Sequence, residues 1–198
     1  MRVSDVDEEA VLDELIRRRR EAGLAAPTAA EQVQALARAK ALDVMASTDP
    51  QEAEVVVGCD SMLEISGQVV GKPIDAADAR ERWRMMSGST GTLHTGHFLM
   101  RTADGAIAEG VSSATIRFGS PSPAEIEAYI ATGEPLWCAG AFTIDGLGGA
   151  FIEGIDGDPH GVVGISLPLL RRLLADLDVV WTDLWAPPPM TKPADDAH

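Results

Sequence analysis

Glu54-Val55-Val56-Val57-Gly58-Cys59-Asp60-Ser61-Met62-Leu63, followed shortly by Gly71-Lys72-Pro73, is the stretch on which the reading of this chain turns. Val55 to Val57 are consecutive, β-branched and few, the pattern of a buried strand. Asp60 then falls at or near the strand end. An ionised carboxylate is costly to bury alone. Asp60 is therefore expected to meet a metal, a lysine or water at a cleft.

Upstream, the chain reads as two helices. Glu9 to Glu21 carries Val11, Leu12, Leu15 and Ile16 on one face, with acids at its start and Arg17 to Arg20 at its C-terminal end, as the helix dipole prefers. Gly23 stops it. Val3 and Val6, before it, suggest the tail of a strand. Thr28-Ala29-Ala30-Glu31 has capping-box spacing and predicts a helix to about Ala46. Val33, Leu36, Ala37 and Val44 form its apolar face, and Lys40 falls on that same face. Two readings of Lys40 stand at this point. Its stem snorkels along the core toward water, or its ammonium points into a cleft at an anion. Asp49-Pro50 marks a break before the central strand.

Downstream, residues 54–70 read as a hairpin-like unit turning at Ser66-Gly67-Gln68, with Val69-Val70 as the returning arm. Asp75 opens a helix with Ala76, Ala79, Trp83 and Met86 on one face, and Gly88 ends it. Two strands follow over residues 91–118, turning at Asp104-Gly105. His94 and His97 lie on opposite faces at that spacing, so they are not expected to share a metal. Ser122-Pro123-Ala124-Glu125 starts a helix that ends near Gly133. From Ala139 to Gly164 glycines are too many for ordinary strands and suggest tight turns and close backbone approach. Ser166-Leu167-Pro168 opens a last helix carrying Leu170, Leu173, Leu174 and Leu177, and Val179 to Trp185 reads as a final strand. The tail over residues 186–198, with Pro187-Pro188-Pro189, is expected to be disordered. The class is α/β with a mixed sheet.

The chain has 198 residues, enough for one large domain, and a net charge of −15. That charge argues against broad nucleic-acid binding, which needs a basic face, and makes Arg17 to Arg20 a solvated helix end. A local lysine pair can still hold an anionic small molecule. No run is long and apolar enough to span a bilayer. Cys59 and Cys138 make no disulfide framework, and a reducing cytoplasm is the simplest location. Glu8, Lys40, Asp60, Lys72 and Asp145 lie outside the obvious solvated faces. Carboxylates and lysines beside glycine-rich loops suit a phosphorylated substrate carrying a hard divalent cation. A structural ion-pair network is the competing reading.

The order of motifs resembles the Maf family of nucleoside triphosphate pyrophosphatases. The matching residues are Val-Gly-Cys-Asp-Ser at 57–61, Gly-Lys-Pro at 71–73, Met-Ser-Gly at 86–88, Ala-Gly-Ala-Phe at 139–142, Asp-Gly-Leu-Gly-Gly at 145–149, Ile-Asp-Gly-Asp at 155–158 and Val-Val-Gly-Ile-Ser-Leu-Pro-Leu at 162–169. The resemblance implies a single domain over residues 1–185, with a long curved mixed sheet, two lobes and a cleft, like the inosine-triphosphate pyrophosphatases. It implies hydrolysis of a nucleoside triphosphate to the monophosphate and pyrophosphate with Mg²⁺ or Mn²⁺. Homodimers are usual in the family, which has been linked to arrest of cell division. By position, Asp60 matches the proton acceptor and a metal ligand, and Glu8 a metal or water partner. Lys40 and Lys72 match phosphate-facing lysines, and Ser61 a hydroxyl that meets base or phosphate.

The chain departs from the family pattern in three places. Asp145 stands where members preferring dTTP and UTP carry glutamine, and an ionised aspartate can only accept hydrogen bonds. Cys138 replaces a lysine, and both thiols read as packed rather than nucleophilic. The family's opening strand and its Ser-x-Ser-Pro-x-Arg-like loop precede the matched segment. Two expectations follow: the native start lies upstream of Met1, or the short form is a weak enzyme, a nucleotide-binding regulator of division.

Overall fold

The computed structural model describes residues 2–49 and 53–185. The expected break at Pro50 and the tail from Ala186 lie outside the described residues.

Two helices lead the chain. Helix α1 (Glu8–Glu21) is capped by the Asp7 side chain, which accepts from the Ala10 N–H. Helix α2 (Ala29–Ala46) opens on the full Thr28–Glu31 capping box. Arg17 and Arg18 pair with Glu14, and Arg19 reaches Glu31, so these arginines are spent on local acids. Val3 and Val6 lie in irregular chain ahead of Asp7, outside any strand.

Strand β1 (Val55–Ile65) runs eleven residues and turns through Ser66-Gly67 into β2 (Gln68–Val70). Both turn residues have positive φ, 51° and 73°, the requirement of a tight two-residue hairpin. Helix α3 (Ala76–Met86), capped by Asp75, leads to β3 (Thr90–Arg101) and β4 (Ile107–Phe118). Helix α4 (Pro123–Ala131) follows, then three short 3₁₀ segments over residues 134–151 and strand β5 (Ile152–Asp156). A short helix α5 (Pro159–Val163) and helix α6 (Leu167–Asp176) complete the order.

The α/β class stands. The five strands pair in the order β2-β1-β3-β4-β5, antiparallel throughout the described residues where a mixed sheet was expected. Tight turns account for two of the pairs, β1–β2 and β3–β4, since a turn that returns the chain alongside itself cannot make a parallel pair. The β1–β3 and β4–β5 pairs are joined through longer connections that contain helices. Asp60 also departs from its expected place. It sits mid-strand, opposite Gly96, because no turn residue intervenes before Ser66. Residues 179–185 are not a strand. Asp178 takes a left-handed conformation (φ 58°), and Trp181–Leu184 coil into a 3₁₀ turn.

The sheet's two faces are covered differently. On one, α2 buries Val33, Leu36, Ala37 and Ala41 against Val56, Met62 and Phe98. A Cβ at Gly58 would lie 2.2 Å from the Ala37 carbonyl oxygen, and one at Gly96 2.5 Å from that of Val33. Only glycine lets the helix backbone lie this close to the strands. On the other face α3 and α4 build a core around Trp83, Leu63, Ile65, Leu93 and Ile116, and α6 builds a second around Leu99 and Ala108. Between these two cores the buried side chains are polar. Thr95 donates to the Gly161 carbonyl, and His97 Nε2 accepts from the Ser166 N–H at 2.8 Å.

Candidate active site

Strand alternation places Gly58, Asp60 and Met62 toward α2, and Cys59, Ser61 and Leu63 toward the other face. The close seat of α2 on Gly58 and Gly96 therefore brings its own face down onto Asp60. Lys40 Nζ donates to Asp60 Oδ1 at 2.5 Å and lies 2.7 Å from Glu8 Oε1, at the first turn of α1. Side-chain exposure falls from 49% at Glu8 to 21% at Lys40 and 11% at Asp60. The ammonium is thus clamped between one wet and one buried carboxylate.

The protonation of this triad follows from its burial. Burial raises the Asp60 pKa above its ordinary value, and the hydrogen bond and charge of Lys40 offset only part of that; Glu8 adds to the rise and Lys72 opposes it. For Lys40, burial disfavours the charge, but the hydrogen bonds it donates to Asp60 and Glu8, with their charges, outweigh it and its pKa stands raised. The cluster is therefore a firmly charged lysine beside an acid that takes up a proton more readily than a free aspartate does.

Beside β1 a cleft of about 280 Å³ opens, lined by Cys59, Asp60, Ser61, Lys72, Leu93, Trp137, Cys138, Ala139, Phe142, Thr143, Val162, Val163 and Gly164. Asp60 belongs to both the triad and the cleft wall. Lys72 is exposed on a short bend whose Gly71 carbonyl accepts from both the Gly140 N–H and Arg82. The bend is thereby tied to α3 and to the glycine-rich tract. The charge of Lys72 acts on Asp60 and on Cys138.

Ser61 Oγ lies 2.8 Å from Thr95 Oγ1. Thr95 gives its one hydroxyl proton to Gly161, so Ser61 must be the donor between them. Its oxygen then faces the cleft as an acceptor. Asp145 is exposed and accepts from the Thr143 hydroxyl, so Thr143 is the member of that pair on the cleft wall. Burial pushes the Cys59 thiol up to about 12 and raises that of Cys138, which keeps both protonated and poor nucleophiles.

The structure thus gathers Glu8, Lys40 and Asp60 into one cluster, and Asp60, Ser61 and Lys72 along one wall. Asp145 stands one hydrogen bond back from it. Sequence reasoning passed over Trp137 and Thr143, whose only signal was their place beside the glycine-rich tract. It also passed over Glu134, whose carboxylate accepts from the N–H groups of Leu147 and Gly148 and from Tyr129, pinning that tract. Among the described residues no group of three or more His, Cys, Asp or Glu side chains is placed to hold a metal. No helix among them is long and apolar enough to cross a membrane.

The sequence matches the Maf-like protein family over residues 1–177. A nucleoside triphosphate pyrophosphatase of Streptomyces coelicolor is 51% identical over 185 residues, 93% of this chain and 83% of that relative. One of Salinispora tropica is 54% identical over 160 residues, 80% of this chain and 71% of that relative. One of Mycobacterium sp. (strain JLS) is 48% identical over 188 residues, 92% and 86% of the two chains. Likeness of this degree, along nearly all of the α/β framework that seats Lys40 on Asp60, shows that the chain belongs to the Maf-like protein family.

Proposed function

We propose that this chain is a nucleoside triphosphate pyrophosphatase, hydrolysing the anhydride between the α- and β-phosphates to give a nucleoside monophosphate and pyrophosphate. The observation that carries the reading is the meeting at Asp60 of a charged triad and a cleft that also holds Lys72. Relatives bearing that name support it.

Asp60 is the proton acceptor. Its carboxylate orients a water and takes the proton as the water oxygen bonds to phosphorus. Lys40 holds that carboxylate in place and ionised, and its own fixed charge faces the polyphosphate. Lys72, which lines the same cleft, meets the negative charge that builds on departing pyrophosphate. Ser61 and the Thr143–Asp145 pair offer acceptors that the N–H donors of a base can meet.

Mg²⁺ and Mn²⁺ fit this donor set as ions carried in with the substrate. Glu8 and Asp60, the two carboxylates that flank the Lys40 ammonium, would hold such an ion, which asks for one or two carboxylates plus phosphate oxygens. Bound there, the ion neutralises phosphate charge and polarises the P–O bonds. A single domain over residues 1–185 acting as a homodimer, in a cytoplasmic house-cleaning role, completes the reading.

Pyrophosphate release across a panel of nucleoside triphosphates, with Mg²⁺ or Mn²⁺, tests it. Turnover by the wild type and a loss of about 10²- to 10⁴-fold in Asp60→Asn are expected. Equal rates in the two proteins would refute the role of Asp60. Nucleotide binding without turnover would favour a binding regulator of cell division instead.

A further inference from the structure

We propose that Trp137 is the stacking platform for the nucleobase, at the mouth of the cleft whose inner wall carries Asp60, Ser61 and Lys72. The proposal rests on the pyrophosphatase reading and adds to it where the base lies.

Trp137 is the anomaly of this surface. Its side chain is 79% exposed although it lines the cleft. Among the described residues its ring has neither an aromatic partner nor a hydrogen bond. Trp83 is the contrast. It is fully buried, stacks edge-on with Phe118, Tyr129 and Phe151, and donates its indole N–H to the Ala141 carbonyl. Single exposed apolar residues are ordinary. One held rigidly at the rim of a polar cleft is not.

The hold is specific. Trp137 closes the 3₁₀ segment Glu134–Trp137, which begins after Gly133 in the left-handed conformation (φ 78°). Pro135 within it is buried. Glu134 anchors it to the Leu147 and Gly148 N–H groups and to Tyr129. Three residues on, the Gly140 N–H donates to Gly71, next to Lys72. The segments that carry Trp137 and Lys72 are therefore tied together by a backbone hydrogen bond, and both residues line the cleft. The backbone keeps the ring outward, and little further ordering is needed when a ligand arrives.

The cleft's chemistry is also divided along its walls. Asp60 and Lys72 make the charged part, while Leu93, Phe142, Val162 and Val163 make an apolar part. A nucleoside triphosphate has the same division, a polyanion joined to a flat aromatic base. Indole is a strong stacking face, and every base has a π-face to offer it, so the platform binds bases without choosing among them.

The test compares Trp137→Ala and Trp137→Phe with the wild type, using the turned-over nucleoside triphosphate and inorganic tripolyphosphate as its base-free competitor. The expected result for Trp137→Ala is a KM for the nucleotide raised about tenfold or more, with kcat nearly kept. The tripolyphosphate Ki and the melting temperature should stay unchanged. Trp137→Phe should recover most of the affinity. A KM that does not move, or a KM and Ki that rise together, overturns the proposal. Should the wild type turn over no nucleotide, equilibrium dialysis of the same two ligands replaces KM and Ki. A loss confined to the nucleotide then supports the platform even as the hydrolase reading falls. Equal affinities in wild type and Trp137→Ala, or no nucleotide binding by the wild type, overturn it.

Discussion

Asp60 is held by influences of opposite sign, and each can be removed by one substitution. Burial and Glu8 push its pKa up; Lys40 and Lys72 pull it down, with burial the strongest. A base must be ionised to accept a proton, so activity should fall on the acid side through a pKa above the ordinary 3.8 of aspartate. Lys40→Met removes the main opposing charge, and the acid limb of the pH–rate profile should move to higher pH. Glu8→Gln removes a like charge, and the limb should move to lower pH. Shifts of the same sign, measured as kcat/KM against pH, would show that the triad is not a unit. This cluster was only half legible in the sequence. Helical spacing put Lys40 on a buried face of α2, and the apolar run marked Asp60. That the two meet depends on a pairing between residues 20 apart in the chain, which no local pattern records. Ser61 was less legible still, because its role as an acceptor depends on where Thr95 sends its proton.

The elements were legible wherever a local rule sets them. Thr28–Glu31 and Ser122–Glu125 both form the capping boxes that their spacing predicts. Gly105 turns β3 into β4 with a positive φ of 73°. The misreadings occurred where a rule was lacking. An acid does not end a strand, so β1 runs on through Asp60 to the Ser66-Gly67 turn. Val179 and Val180 have strand-like side chains, yet the left-handed Asp178 before them sends the chain into a 3₁₀ turn. The contact of α2 with the sheet was hidden too, since Gly58 in a valine run announces only a close approach and not by what. That contact makes a prediction. Gly58→Ala would set a Cβ 2.2 Å from the Ala37 carbonyl oxygen and 2.8 Å from Ala41 Cβ, so α2 must lift. The expected cost is about 1–3 kcal/mol of stability, with a further drop in kcat as Lys40 leaves Asp60. Gly110→Ala is the control. Its new Cβ meets only the flexible tips of Leu169, at 3.3 Å, and Leu173, at 3.9 Å, and urea unfolding should find it close to wild type.

At the scale of the whole molecule, the two apolar cores on one face of the sheet are joined by a polar seam. Thr95 holds Gly161, and His97 holds the Ser166 N–H at the start of α6. Val162 to Gly164, between those two anchors, form one wall of the cleft. The seam thus couples the fold's stability to the shape of the site. With Nε2 accepting from Ser166, His97 carries its proton on Nδ1, which faces the Thr95 carbonyl. Burial lowers the His97 pKa below 6.5 and outweighs the pull of that carbonyl and of Asp158. The folded protein therefore binds fewer protons here than the unfolded chain does once the pH drops below the unfolded value. The contribution of His97 is whole above 6.5 and is lost as the pH falls from 6.5 toward the lowered folded pKa. The urea midpoint should decline as the pH falls from about 6.5 to about 5.5. His97→Gln keeps an acceptor for Ser166 without a titrating group, and it should flatten that decline. His97→Ala should instead be destabilised at every pH by about 1–3 kcal/mol, because it leaves a buried N–H without a partner. A decline as steep in His97→Gln as in the wild type would assign it to the carboxylates and remove the seam from the account.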